Sequence, residues 1–336
     1  LGEGYVRLRV SEAERRQAKH DIQHVEDIVI EMLRNARDAG ADKVYLATTK
    51  EDGVRTLVFL DNGSGVPQDM QERIFDARVT SKLESMKMDR WGVHGRGMAL
   101  FSIKQNTDEA RVVASDVDLG SVFKVSVATD RLGERADQSS WPQAVKDEDG
   151  HYVCARGPHN IIRAACEFAL EELRACDVYL GSPSEIAATL HAQASSRLDA
   201  SRLLFIDDEA ELPVVDRLGL ASDAEDFIRI CSGLGLEMSE RTAHRILAGQ
   251  IKPVRGVTAR LLRERDSSSH ASAPVDLAKD RRGLRIAKDD MAQFSRAVER
   301  DFNDLASRYY LNLCGDPKIR VSRDRITVTF DLAKEE

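Results

Sequence analysis

The order of apolar and polar residues predicts alternating strands and helices. Residues 5–10 alternate apolar and basic side chains, which is typical of a short strand. Ser11 and Glu14 have the spacing of a capping box, and helical periodicity then continues to Gly40, a residue suited to a helix C-terminus. Strand patterns follow at residues 43–49, 56–60, 111–114 and 121–128. Elements in this order predict an α+β fold.

The second half of the chain has weaker patterns. Residues 129–158 are polar and predict a loop or excursion. The elements predicted after it are a helix at 160–175, a strand near 177–181, three short helices at 223–234, 239–248 and 254–265, a helix near 288–311, and strands near 318–322 and 325–332. We therefore divide the chain into a domain of residues 1–180, a helical region at 181–265, a linker at 266–287, and a helix plus β-hairpin at 288–336.

Composition excludes several classes of protein. With 336 residues, 42% of them hydrophobic and 32% charged, the chain suits a soluble protein with an ordinary core. Its net charge of −8 means that any contact with nucleic acid needs a local basic patch. The five cysteines form no C-x-x-C pair, which argues against a zinc site or a disulfide framework. Without a long apolar run or a leader, we expect a cytoplasmic protein with no membrane partner.

The first group of candidate chemical residues lies on the helix that ends at Gly40. Its apolar stripe, which predicts packing on a sheet, consists of Val25, Val29, Met32 and Ala36. A polar stripe with the same spacing lies beside it and consists of Glu31, Asn35 and Asp38. Such a stripe is common on amphipathic helices, but it also lies at the edge of the packed layer, where a ligand can reach it.

Two glycine-bearing segments follow. Asp61, Gly63 and Gly65 come directly after a predicted strand, and the two glycines allow a flat ligand to approach the backbone closely. The second segment, residues 92–103, leads into an apolar helix, so that its backbone N–H groups can face phosphate oxygens. The glycines of that segment are Gly92, Gly95 and Gly97. Hydroxyl and ammonium groups are expected near the same phosphates from Thr80, Ser81 and Lys82.

Together these three segments resemble the GHKL ATPases, which include gyrase-type topoisomerases, the heat-shock chaperone, sensor histidine kinases and MutL mismatch-repair proteins. The resemblance covers residues 20–128. It implies a two-layer α/β sandwich of the Bergerat type with a mixed sheet, followed by a mainly helical C-terminal region. It also implies that ATP and Mg²⁺ are bound and that ATP is hydrolysed.

The resemblance implies a role for each matched residue. Glu31 would be the general base, Asn35 would hold Mg²⁺, and Asp61 would bind the adenine amine beside Gly65. Lys82 would stabilise charge on the γ-phosphoryl group. The remaining residues expected to bind or surround the nucleotide are Asp38, Gly63, Thr80, Gly92, Gly95, Arg96, Gly97 and Ser121, with Asp38 expected to orient its neighbours.

Within the family, the motifs are most similar to MutL and to the ATP-binding component of topoisomerase VI, which are ATP-gated dimers that act on DNA. We therefore expect a transient homodimer, with residues 5–10 as a candidate exchange element. A protein kinase of the sensor or anti-sigma type is an alternative, although His20 and His24 lie on the same predicted helix as Glu31. A nucleotide-dependent, chaperone-like scaffold is the alternative that does not require turnover.

A basic segment favours the DNA interpretation. Residues 241–265 contain seven basic side chains against one acid, Glu264, in a chain whose net charge is negative. The pattern resembles a helix-turn-helix, or the helical insert in the ATP-binding component of topoisomerase VI; a solvated helical face is the simpler interpretation. The side chains expected to contact DNA are Arg241, Arg245, Lys252, Arg255, Arg260 and Arg263.

Overall fold

A computed structural model of the chain divides it into two compact units, residues 1–266 and residues 267–336. The residues that it describes are 6–7, 12, 16, 20–80, 87–94, 97–173, 175–198, 206, 208–262, 291, 294–295, 298–299, 302, 306, 311–315, 317–321 and 326–334. The predicted linker at 266–287 lies outside them. So do Ser11, Glu14, Ser81, Lys82, Gly95, Arg96 and Arg263.

A five-stranded sheet forms the centre of the first unit. Its strands are β2 (Lys43–Glu51), β3 (Val54–Asp61), β7 (Glu109–Ser115), β8 (Ser121–Ala128) and β11 (Asp177–Gly181). They lie in the order β11-β2-β3-β8-β7, and only β11 and β2 run parallel. The sheet is therefore mixed, as predicted.

Helices cover both faces of this sheet. Alternate residues of β2 and β3, such as Leu46 and Phe59, belong to one buried cluster, whereas Tyr45 and Leu60 belong to another. The first cluster includes helices α1 (Val25–Asp38), α2 (Ala99–Asn106) and α3 (Ile161–Glu171), and the second includes α4 (Pro183–Arg197), α5 (Ala224–Gly233) and α6 (Glu240–Leu247). The predicted sandwich of helices on a mixed sheet is confirmed, and a second helical layer covers its other face. Burial on both faces accounts for the nearly continuous apolar runs of the central strands.

Helix α1 begins later than the sequence pattern predicts. Residues 12, 16, 20 and 21 are helical, but residues 22–24 are not. The backbone N–H groups of Gln23 and His24 both donate to Oδ2 of Asp27 at 2.8 Å, so that a new helix N-terminus forms at Val25. The predicted C-terminus is confirmed, because Gly40 has φ +77° and its N–H group donates to the carbonyl of Arg37.

Short elements complete the first unit. Residues 129–158, predicted as a loop, contain the antiparallel strands β9 (Gln143–Lys146) and β10 (Tyr152–Arg156). The remaining strands are β1 (Val6–Arg7), β4 (Val79–Thr80), β5 (Lys87–Asp89) and β6 (Gly92–His94). Single turns of 3₁₀-helix occur at Gln68–Met70, Arg73–Phe75, Glu209–Glu211 and Arg217–Leu220, and residues 257–262 are helical.

The second unit contains helical residues and strands where the sequence predicts them. The described residues between 291 and 306 are helical. Strands β13 (Lys318–Val321) and β14 (Ile326–Thr329) form the predicted antiparallel pair, whose turn at 323–324 lies outside the described residues. A further pair, β12 (Leu311–Leu313) and β15 (Leu332–Lys334), was not predicted.

The five cysteines all lie within the described residues and form no disulfide bond. Burial raises the pKa of Cys176 and Cys231 to about 12, so both remain protonated and unreactive near neutral pH. In the part of the chain that the structure describes, no helix has the length and apolar character needed to span a membrane.

Candidate active site

The two stripes predicted on α1 have the expected surroundings. Val25, Val29, Met32 and Ala36 are all buried in the core beneath the sheet. Glu31 and Asn35 are half-buried, at the edge of this packed layer. The amide nitrogen of Asn35 is buried and has no hydrogen-bond partner among the described residues. An orphaned buried amide is uncommon in a native structure and suits a group that receives a ligand.

The turn after β3 docks on the C-terminus of α1. Asp61 is buried, and its Oδ1 accepts a hydrogen bond of 2.8 Å from the N–H group of Gly63. The N–H group of Ser64 donates to the carbonyl of Ala39, the residue that follows Asp38. A Cβ atom at position 63 would lie only 2.8 Å from that carbonyl, which explains why glycine is needed there. The first two sequence motifs are thereby brought together.

The other side of the same turn packs against the loop between β7 and β8. Gly65 has φ +71°, a conformation that glycine adopts without strain. The hydroxyl of Ser115 accepts from the N–H group of Val66 and donates to the carbonyl of Gly120. Ser121 lies directly opposite Asp61 in the pairing of β3 with β8, and its side chain is buried. The structure therefore places Ser121 beside the base of the turn.

The third motif is described only in part. Gly97 has φ +65°, and its carbonyl accepts a hydrogen bond of 2.8 Å from the N–H group of Arg78. A Cβ at Gly97 would lie 2.9 Å from the carbonyl of Val79, which precedes Thr80 in β4. Gly92 begins β6, where it pairs with Asp89 of β5. The end of the glycine segment thus lies beside the segment that carries Thr80.

A network of buried charges joins the hairpin of β5 and β6 to α1. The guanidinium of Arg34 donates to Oε1 of Glu31 at 2.7 Å and to Oδ2 of Asp89 at 2.9 Å. Arg37 donates to the same oxygen of Asp89 at 3.1 Å. Arg37 also donates to Asp38 at 2.9 Å and to Glu172 at 3.0 Å. Asp38 therefore contacts a neighbouring side chain of its own helix.

The electrostatics of Arg37 follow from these contacts. Burial lowers its pKa, but the hydrogen bonds that it donates to Glu172 and Asp38 raise the pKa by more, so the pKa stays above the usual value for arginine. The guanidinium is consequently a permanent cation in the network.

The basic segment lies partly on α6, away from these motifs in the sequence. Ala243 and Ile246 are buried, whereas Arg241 and Arg245 are exposed and line an open groove of about 590 Å³ together with His244. Lys252 and Arg255 are also exposed. Arg260 differs from the others, since its guanidinium lies 3.9 Å above the ring of Trp141.

A comparison of the chain with known protein families agrees with the fold and with the packing of the motifs. Residues 22–115 match the family of histidine kinase-, DNA gyrase B-, and HSP90-like ATPases. Residues 22–115 are therefore a domain of the GHKL ATPase family. Three of the predicted groups, on α1, after β3 and at Gly92–Gly97, lie within the matched residues.

Curated relatives of this GHKL domain include the DNA mismatch repair proteins MutL of Staphylococcus aureus strains Newman and COL. Each is 28% identical over 136 residues, which is 38% of this chain and 20% of the relative. The match therefore spans about a fifth of the length of those proteins.

The sequence did not single out Arg34, Arg37, Asp89 or Glu172. One local signal was present, because Glu31 and Arg34 are three positions apart on a helix and can form an ion pair. Asp89 and Glu172 carry no comparable signal, since they lie 55 and 135 residues from their arginine partners.

Proposed function

We propose that residues 20–128 of this GHKL domain bind ATP and hydrolyse it. The observation that carries the proposal is the packing of Asp61 and its glycine turn between the end of α1 and the loop at Gly120. In this arrangement a buried carboxylate is held in a fixed position beside a tight turn, where it can accept a hydrogen bond from an exocyclic amine on a flat base.

The proposed reaction uses Glu31 as the general base. Its carboxylate takes a proton from water as the water oxygen bonds to the γ-phosphorus of ATP. The bond between that phosphorus and the bridging oxygen breaks, and the products are ADP and phosphate. Asp61 holds the adenine amine, and Gly97 with the rest of its segment borders the phosphates.

The donor set also suits Mg²⁺. In the proposed site the ion would be bound by Asn35 together with phosphate oxygens of the nucleotide. Asn35, whose buried amide nitrogen has no partner among the described residues, fits this role because the amide can turn over and bring its oxygen towards a cation. When bound, Mg²⁺ would neutralise charge on the phosphate oxygens.

Calorimetry with Mg-ATP tests nucleotide binding directly. We expect saturable binding to the wild-type protein and, for Asp61→Asn, affinity lower by about 10- to 100-fold because the amine loses its charged acceptor. Asp52→Asn, in the exposed turn between β2 and β3, is a matched control that leaves affinity unchanged. A wild-type protein that releases no heat and shows no saturable association would rule out the proposal.

A role in a DNA transaction is the finer part of the proposal. It is supported by the exposed basic residues Arg241, Arg245, Lys252 and Arg255 and by the MutL relatives, whose name describes DNA mismatch repair. Filter binding to duplex DNA at two salt concentrations tests it. Affinity should fall steeply with salt, since phosphate contacts release counterions; no salt-sensitive binding to any duplex would exclude a DNA role.

We also propose a transient dimer that forms when nucleotide is bound. Its support is the likeness to MutL and the short strand β1, which pairs antiparallel with β4 of the same chain. Strand β1 could pair in the same way with a second copy. Light scattering with and without a non-hydrolysable ATP analogue should show a mass shift with the analogue; an unchanged mass would exclude dimerisation.

Labelled ATP separates hydrolysis from the two alternatives. A hydrolase releases inorganic phosphate and forms no phosphoprotein. Transfer of label to histidine or serine of a partner protein would indicate a kinase of the sensor or anti-sigma type. Binding without release or transfer of phosphate would indicate a nucleotide-dependent scaffold.

A further inference from the structure

The side chain of Arg34 connects the proposed general base with a hairpin distant in sequence. The side chain of Arg34 is only 3% exposed, and it lies on the same helix as Glu31. One guanidinium nitrogen, Nη1, donates to Oε1 of Glu31, and another, Nε, donates to Oδ2 of Asp89. The guanidinium is planar and presents its donors in a fixed fork, so the position of Asp89 determines the direction in which Arg34 reaches Glu31.

Asp89 is itself held from several sides. Its side chain is 7% exposed, and Oδ1 accepts a hydrogen bond of 3.0 Å from the N–H group of Trp91. Oδ2 accepts from both Arg34 and Arg37. Arg37 is in turn bound to Glu172, just after α3, and the ring of Trp91 stacks on Phe168 of α3. Oδ1 of Asp89 is thus fixed within its own hairpin, and this bond remains when Arg37 is replaced.

A buried ionic network of this kind contributes geometric specificity more than stability. Desolvation of the charges offsets most of their attraction, whereas charge-assisted hydrogen bonds impose distances and directions. Activation of water by a carboxylate requires that one oxygen be aimed at the attacking water. A carboxylate whose Oε1 is held by Arg34 can present Oε2 in a defined direction.

We infer that Arg34 is a positioning residue that orients Glu31 for catalysis, and that Asp89 is its anchor. The inference rests on the proposed hydrolysis of ATP and adds to it a residue that acts through the base. Arg34 binds neither adenine nor phosphate in this assignment, so its loss should slow turnover without weakening nucleotide binding.

Arg37 provides a matched control on the same helix. It donates to the same oxygen of Asp89, and its other side-chain partners are Asp38 and Glu172. Its side chain is 8% exposed, so replacement by methionine removes a similarly buried charge. A general loss of structure should therefore appear equally in Arg34→Met and Arg37→Met, whereas a loss of orientation at Glu31 should appear only in Arg34→Met.

The experiment compares kcat, KM, the Kd of a non-hydrolysable ATP analogue, and Tm for the wild type and the variants. For Arg34→Met we expect kcat to fall by about 10- to 100-fold, because a small displacement of a catalytic group has effects of this size. The Kd should stay within about twofold of the wild-type value, since binding groups are untouched. Arg34→Lys should recover part of kcat, because lysine keeps the charge but not the fork.

Arg37→Met should lower Tm as much as Arg34→Met does and leave kcat within about threefold of the wild type, since both bonds of Arg34 remain. In a Glu31→Gln background, Arg34→Met should cause no further loss of residual turnover, because its effect passes through Glu31. Equal kcat losses for the two methionine variants, or a parallel rise in Kd for Arg34→Met, would overturn the inference alone. A wild-type protein without turnover would overturn both the inference and the proposed function.

Discussion

Gly65 and Asp116 approach each other so closely that a Cβ atom on Gly65 would lie 1.8 Å from the backbone oxygen of Asp116. The contact has a counterpart in the loop between β7 and β8, where a Cβ on Gly120 would lie 2.2 Å from the backbone oxygen of Asp61. The turn after β3 and the loop between β7 and β8 therefore interlock backbone against backbone. This interlock holds the proposed adenine site.

Gly65→Ala should destabilise the protein far more than Gly53→Ala. Both glycines have positive φ, +71° and +80°, so both variants carry a conformational cost of about 1–2 kcal/mol. Only Gly65 adds a backbone overlap, since a Cβ at Gly53 meets nothing within 4 Å. We expect urea unfolding to show a loss of about 3 kcal/mol or more for Gly65→Ala, together with weaker nucleotide binding. Equal losses of the free energy of unfolding for the two variants would show that the loop between β7 and β8 moves aside at little cost.

Glu31→Gln should remove hydrolysis and leave nucleotide binding intact. Glutamine keeps an oxygen acceptor for Arg34 but cannot accept the proton of the attacking water. We expect kcat to fall by about 100- to 10,000-fold, measured as phosphate release. Glu31→Ala should behave similarly, with an additional cost because the buried Arg34 loses a partner. Retained turnover in both variants would assign the base to another residue.

Exposed arginines of α6 should determine the salt dependence of any DNA binding. Arg241→Gln and Arg245→Gln should each lower the slope of log affinity against log salt by about one, as expected for one phosphate contact. Arg111→Gln, an exposed arginine on β7 that pairs with Glu109, is the control and should leave the slope unchanged. A reduction of the slope by all three substitutions would indicate a diffuse effect of net charge.

Glu134 should contribute stability that disappears in acid. Its carboxylate accepts two hydrogen bonds from Arg55, at 2.7 and 3.0 Å, and one from Lys50 at 2.9 Å. Burial raises its pKa, but these hydrogen bonds and charges lower it by more, so the folded-state pKa lies below the usual value of 4.5. The contribution is therefore complete above the unfolded-state pKa and is lost as pH falls through the folded-state value.

Glu134→Gln tests whether the pKa of Glu134 is lowered in the folded protein. Near neutral pH it should reduce the free energy of unfolding by about 3 kcal/mol, because Arg55 stays buried without its charged partner. The difference from the wild type should stay constant down to about pH 5 and shrink below it. Chemical unfolding at a series of pH values measures the difference. A gap that widens in acid would show that the pKa of Glu134 is raised in the folded protein.

Local signals in the sequence were sufficient for the family and for much of the fold. The stripe of Val25, Val29, Met32 and Ala36 predicted the buried face of α1, because helical spacing alone decides which side chains share a face. Gly40 marked the end of that helix, because glycine adopts the positive φ found there without the steric cost that other residues would have. The order of the three motifs was enough to predict membership of the GHKL family, which the match of residues 22–115 confirms.

Where long-range contacts compete with local pattern, the sequence predicted less. The helix predicted from residue 11 is interrupted at residues 22–24, because Asp27 captures two backbone N–H groups and starts a new helix. Residues 129–158 were predicted as a loop because they contain few apolar residues, but β9 and β10 pair there. Strand β11 joins β2 in parallel across more than a hundred residues, a pairing that no local pattern specifies.

The sequence by itself identified the residues that we propose to carry the chemistry, because carboxylate, amide and glycine types at fixed spacings are recognisable one segment at a time. Only the tertiary structure decided how they are held. Arg34 meets Asp89 across 55 residues, and Arg37 meets Glu172 across 135 residues. Such partners are brought together by the packing of a hairpin and a second helix against α1. Burial then excludes water as an alternative hydrogen-bond partner, so the charged groups bond to each other.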